Sequence, residues 1–247
     1  MINNYDIYCL SFKNLKRREE MEYRFKELDI KSSFYDGVDS NDPRIFNNNN
    51  NSIVWSYTLG HLDMIQNFYD NSEKEFGIFC EDDIFIHKDF YKLIPNIIED
   101  FKLMELDVLL LGYLIPFKIS SEYNGFELKN NINNVNINNV NVNVNNDLKY
   151  IYHNYPNDLW GAQMYMLTKK HAKYLLDNYN IEYAIRSLND NTLQPFSSDW
   201  TITKEGNRAL IYPMLAVETA DKKCGHYGQD TFHENCKNVN YDPSIYI

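Results

Sequence analysis

The sequence predicts an α/β domain in which a central, mostly parallel sheet is flanked by helices, with residues 1–247 forming one unit. Three observations predict it. Short apolar, β-prone runs alternate with stretches whose apolar residues recur at helical spacing. The run at 106–113 (LDVLLLGY) is strongly apolar and reads as a central strand. The hydrophobic share of 44% and charged share of 24% are those of a chain that can fill a core at this length.

Residues 6–12 (DIYCLSF) read as the first strand. Residues 14–28 come next as a helix, with Leu15, Met21, Phe25 and Leu28 at helical spacing and Asn14 as the N-cap. A short second strand at 32–35 meets an Asp36-Gly37 turn, and 47–51 form a polar Asn loop. Residues 53–69 return to helical periodicity. Residues 76–80 form a strand that ends directly in Glu81-Asp82-Asp83. Residues 90–104 read as a helix kinked at Pro95, before the central strand. Later elements are a strand at 160–168, a helix at 169–178, a short helix at 198–204, a strand at 210–213 and a polar tail containing His226 and His233.

Between them, residues at about 129–147 form an Asn-rich insert broken by Ile and Val, read as a surface loop or an edge hairpin. Such Asn-rich inserts resemble those of AT-rich genomes, including amoebae and their giant viruses, so a viral source is one expectation. A net charge of -11 excludes phosphate-backbone binding as the main activity, so no nucleic-acid partner is expected. Four scattered cysteines, none in a CxxC pair, do not build a disulfide scaffold. Cys9 and Cys80 read as buried thiols, whereas Cys224 and Cys236 are free to pair or not. No secretory pattern or membrane-length apolar run is visible, so a soluble, cytoplasmic protein is expected.

The chemistry concentrates in GIFCEDDIFI, residues 77–86. A buried strand there delivers three consecutive acids at its carboxyl end, where open α/β sheets bind ligands. Adjacent carboxylates repel and are costly to bury without a cation. Mn²⁺ or Mg²⁺ takes oxygen ligands and shares its shell with substrate phosphates, so a metal here can bridge a diphosphate. The plainer alternative is a solvated acidic turn in which Asp83 caps the next element.

Six segments in order resemble glycosyltransferase family 25, the lipopolysaccharide and collagen β-galactosyltransferase group. They are IYCLSFKNLKRREEM (7–21), FYDGVD (34–39), WSYTLGHLDMI (55–65), GIFCEDDIFIHKDF (77–90), LDVLLLGYL (106–114) and LWGAQMYMLTKKHAKYLL (159–176), with SSDW (197–200) after them. Gly60 replaces the family's Ser before the first His, and the Asn-rich insert is foreign to it.

The resemblance implies a GT-A-like fold and transfer of a hexose from a UDP-sugar donor to a hydroxyl acceptor, a glycan or a protein, with inversion. Asp83 becomes the principal metal ligand of a DxD-like motif, and Glu81 completes the metal shell or faces the donor's ribose. Asp82 joins the donor site. Tyr8, Leu10 and the basic turn at 13–18 line the nucleotide, with Lys16, Arg17 or Arg18 near the diphosphate. The alternative for these bases is a solvated helix face paired with neighbouring Glu. Asp36 and Asp39 bind the base or ribose, or merely form a turn. Asp199 is the candidate catalytic base, and its alternative is a helix N-cap. His226, flanked by Gly225 and Gly228, is a candidate third metal ligand, or part of an exposed tail. His61 reads as a structural histidine. Trp55, Trp160 and Trp200 are candidate sugar-stacking rings or core.

Two rival functions remain. A sugar nucleotidyltransferase normally carries a Gly-rich phosphate loop by the first strand, and none is visible. A non-catalytic glycan-binding or scaffolding domain fits a decayed transferase, against which the intact acidic triplet counts.

Overall fold

The computed structural model describes residues 4–45, 51–119, 129, 150–221 and 225–247. In chain order the elements are β1 (Tyr5–Ser11), α1 (Leu15–Glu27), β2 (Ser33–Asp36), α2 (Ser52–Asn71), β3 (Phe76–Glu81), β4 (Ile84–Ile86), α3 (Phe90–Leu103) and β5 (Val108–Leu114). They continue with β6 (Ile151–Asn154), β7 (Trp160–Thr168), α4 (Lys169–Asn178), α5 (Ile181–Ser187), α6 (Ser198–Thr201), β8 (Arg208–Tyr212), β9 (Ala216–Glu218) and α7 (Tyr227–Asn240).

Seven strands form one sheet in the order β2-β1-β3-β7-β5-β8-β6. The pairings make β1, β2, β3, β5 and β8 run one way, while β7 and β6 run the other. The expected α/β class with a mostly parallel sheet is what the chain adopts. The reversal of β7 matters for function: its first residue, Trp160, pairs with Leu114 at the carboxyl end of β5. The start of β7 therefore shares the edge at which β1, β3 and β5 finish.

Alternating side chains divide the core into two layers. On one face Tyr8, Leu10, Phe79, Leu110, Tyr165 and Leu210 pack under α2 and α4. On the other, Ile7, Cys9, Ile78, Leu109, Met166 and Ile211 pack under α1 and α3. Every residue of β5 is buried, as its apolar run requires of a strand covered on both sides. Cys9 and Cys80 are buried free thiols on paired positions of β1 and β3.

A second, two-stranded sheet joins β4 to β9, with Ile84 opposite Glu218. It depends on Gly112. A Cβ at Gly112 would lie 2.8 Å from the Ala216 carbonyl oxygen and 3.0 Å from the Ala216 Cβ, so only glycine lets β9 cross β5 this closely. The Leu215 N–H donates to Leu111 O at 2.7 Å and fastens the crossing.

Several elements differ from the sequence expectation. The polar tail is not loose: it contains α7, which buries Cys236. The helix expected at 198–204 closes at Thr201, and α5, β4, β6 and β9 are additional. The Asn-rich insert lies outside the described residues except for Lys129, whose N–H donates to Tyr152 O at 3.0 Å; Cys224 also lies outside them. No helix among the described residues is long and apolar enough to cross a membrane.

Because the Gly112 contact is with backbone, it cannot be relieved by a rotamer change. Gly112→Ala is expected to destabilise the fold by about 1–3 kcal/mol, seen as a thermal midpoint lowered by several degrees in circular dichroism. An unchanged midpoint would show that β9 does not need the close approach.

Candidate active site

The triplet sits where β3 ends: Glu81 closes the strand, and Asp82 and Asp83 make the link to β4. Asp82 and Asp83 are only 4% and 5% exposed. Their counter-charge comes from α1. Asn14 caps that helix by accepting the Arg17 N–H at 3.2 Å, which fixes the first turn. The Arg17 guanidinium then bridges both acids, contacting Asp82 Oδ1 and lying 2.6 Å from Asp83 Oδ2. Ser11, the last residue of β1, donates its hydroxyl to Asp82 Oδ2 at 2.7 Å.

Asp82 is thus held on both oxygens, and Asp83 is not. The Thr219 N–H binds the Asp83 main-chain oxygen at 2.7 Å, but the side-chain Oδ1 is buried with no hydrogen-bond partner among the described residues, and so is Arg17 Nε. Burial, reinforced by the charge of Glu81 and opposed by Arg17, pushes the Asp83 carboxyl up to about 8. Asp82 is also raised, first by burial, against the Ser11 bond and Arg17.

Two histidines frame these acids. His61, fully buried in α2, places Nδ1 2.9 Å from the Tyr165 hydroxyl and Nε2 3.4 Å from Glu81 Oε1. On the other side, β9 brings Glu218 next to the triplet, and Glu218 Oε2 lies 2.6 Å from His233 Nδ1 on α7. That bond, ahead of the opposing burial, raises the His233 pKa.

Asp199, the second residue of α6, accepts the Gly161 N–H at 2.9 Å through Oδ1. Gly161 holds φ +143°, and a Cβ there would lie 2.7 Å from the Tyr113 Cα, so the position requires glycine. Burial and then the charge of Glu81 raise the Asp199 pKa, against the Gly161 bond and His61.

A cavity of about 670 Å³ opens over the ends of β1 and β3, bounded by the starts of α1 and α2 and by the turn after β2. Leu10, Arg17, Glu81, Asp82 and Asp83 all line it. Other sequence candidates lie elsewhere. Tyr8 packs into the core, stacked on Phe79 at 5.5 Å, because its strand position faces α2. Arg18 turns to Glu22 and Asp36, and these three form surface pairs. Asp39 is tied to Lys13 and to the Asn41 N–H, which lower its pKa. His226 is exposed at the N-cap position of α7; the late histidine joined to the triplet's surroundings is His233. Of the tryptophans, Trp55 is core at 2% exposure, Trp200 lies under Lys204 at 3.6 Å, and Trp160 is half exposed. Ser11, Glu218 and the Glu81 partner His61 were not expected here.

Among the described residues no three His, Cys, Asp or Glu side chains converge as a ready-made metal centre. The donor set still suits a hard cation. Mg²⁺-like ions are held by one or two carboxylates with water and substrate phosphate, not by all-protein cages, and Asp83 Oδ1 is a buried oxygen without a partner.

A model of glycosyltransferase family 25 (LPS biosynthesis protein) matches residues 4–188. The chain belongs to glycosyltransferase family 25. Membership makes it a glycosyltransferase, and the matched span contains the triplet, Arg17 and His61, while Asp199, Glu218 and His233 lie beyond it. No curated protein matches. Among solved structures, A197 from STIV aligns over 90% of this family 25 chain and 98% of its own, with 10% identity and a TM-score of 0.40.

The raised Asp83 pKa sets a pH dependence. Between its ordinary 3.8 and about 8, the folded chain holds a proton that the unfolded chain has lost. Stability conferred by that proton is present at low pH and is lost as pH rises through 8. In metal-free buffer, denaturant melts at pH 5 and 9 should show Asp83→Asn losing less stability than wild type, by on the order of a few kcal/mol. Equal losses would remove Asp83 as the titrating group.

Proposed function

We propose that this family 25 enzyme transfers a hexose from a UDP-sugar to a hydroxyl acceptor, with inversion and with Mn²⁺ or Mg²⁺ at the acidic triplet. The observation that carries the reading is the buried Asp82–Asp83 pair, with one carboxylate oxygen unpartnered among the described residues, facing a cavity of about 670 Å³ at the carboxyl ends of β1 and β3. The volume suits a nucleotide-sugar. The carboxylates, Arg17 and Lys16 line the cavity together with the apolar Leu10, Val38 and Ile53, a mixture that suits a diphosphate and a base.

In this reading Asp83 and Asp82, with Glu81 beside them, hold the cation. When bound, the metal supplies positive charge for the diphosphate as it leaves. Ser11 and Arg17 orient Asp82, and His61 orients Glu81 from the buried side. Arg17 lines the same cavity, so its guanidinium can turn from the acids to a phosphate oxygen. Asp199, fixed by the Gly161 N–H, takes the proton of the acceptor hydroxyl while the acceptor oxygen bonds to the anomeric carbon. The bond from that carbon to the donor phosphate breaks, and its electron pair leaves with the nucleoside diphosphate. The resemblance to family 25 in SSDW (197–200) supports the choice of Asp199.

Thermal melts with UDP and Mn²⁺ test the donor site. The two together should stabilise the chain more than the sum of each alone, by about 2–3 kcal/mol at a hundredfold excess over Kd, and Asp83→Ala should abolish the gain. No response to the pair would refute nucleotide binding. Asp199→Asn should keep that stabilisation yet cut turnover of a UDP-sugar by about 10²- to 10⁴-fold; full turnover would take the proton-accepting role away from Asp199.

A further inference from the structure

A second cleft, of about 570 Å³, opens beside the first on the same edge of the sheet. Sheet order places it. The donor cavity lies over β1 and β3, whereas this cleft lies over the next two strands, at the start of β7 and the end of β5. Trp160 begins β7 and leaves half of its large ring exposed, at 51%, on the cleft wall. Phe117 and Phe232 add rings, while Asp158 and Gln229 add hydrogen-bonding groups. An aromatic platform with a few polar groups is the surface that a pyranose matches, since the ring offers a face of C–H groups and a rim of hydroxyls.

Two links tie the cleft to the reacting centre. The residue after Trp160 is Gly161, whose N–H holds Asp199, and Asp199 lies within the electrostatic reach of Glu81 on β3. The other link is α7: Phe232 and Gln229 line the cleft, and the adjacent His233 binds Glu218 by the triplet. One helix therefore runs from the wall of the cleft to Glu218 beside the triplet. The carboxylate that would take a proton stands at the boundary between β3 and β7.

We propose that this cleft is the acceptor subsite and that it takes a pyranoside, with Trp160 as the stacking platform. The proposal rests on the transferase reading above and adds where the acceptor lies and what chemistry it has. It makes the acceptor a sugar, not a bare hydroxyl side chain of a protein.

The test uses the full chain on a glycan array printed with α- and β-linked pyranosides, alongside UDP–Mn²⁺ binding by calorimetry. Wild type should bind at least one pyranoside. Trp160→Ala should weaken that binding at least about tenfold, the loss expected on truncating an aromatic anchor, and Trp160→Phe should restore part of it. UDP–Mn²⁺ affinity should be the same in all three proteins, which also shows that the variants are folded. Absence of pyranoside binding by wild type, or binding that survives Trp160→Ala, overturns the acceptor assignment while leaving the donor site standing. Loss of UDP–Mn²⁺ binding in wild type instead overturns the reading beneath it.

Discussion

Two carboxyl groups largely buried side by side at the end of a strand are costly to ionise together, because so little of either is in contact with water. Asp82 and Asp83 are in this position, and the architecture around them supplies positive charge and hydrogen-bond donors. Helix α1 starts where its Asn14 cap aims Arg17 at both acids, and β1 ends on the hydroxyl that holds Asp82. The compensation is incomplete, because one oxygen of Asp83 has no donor among the described residues.

The same constraint explains the contacts one layer further out. Glu81 is the most exposed member of the triplet, and the buried Tyr165–His61 pair reaches it from behind. On the far side, Glu218 adds a further acid to the neighbourhood of Asp83, and His233 bonds to it directly. The acids of the cluster thus draw their partners from different elements: β1, α1, α2 and α7. Disturbing any one of those helices would reach the carboxylates through a single side chain.

Much of the fold could be read in the sequence, where local signals agreed with the final structure. Strand β7 and helix α4 meet at Thr168, whose hydroxyl accepts the His171 N–H, and that boundary fell where the strand at 160–168 and the helix at 169–178 were expected. Strands β4 and β9 have three residues each, too few for any period to register. Helix α7 buries little beyond Cys236, so its sequence looks like a polar tail. The acids of the site were legible because they directly succeed a buried strand. Arg17 was one of three adjacent bases, and only the phase of α1 distinguishes it from Lys16 and Arg18. Glu218 and His233 carry no local mark at all. Glu218 reaches the site through the crossing that Gly112 allows, a contact between residues far apart in the chain, and His233 reaches it from α7.

The reversed direction of β7 has an evolutionary corollary. In a sheet of uniformly parallel strands, every loop on the ligand edge leaves a strand and leads into a helix, so changing it disturbs the helix beneath. Here the short segment at 155–159 arrives at that edge after β6 and delivers its side chains before β7 begins. Tyr155 and Leu159 anchor this segment in the core while Asp158 stays exposed, so a side chain presented at that edge can change without disturbing a helix beneath it.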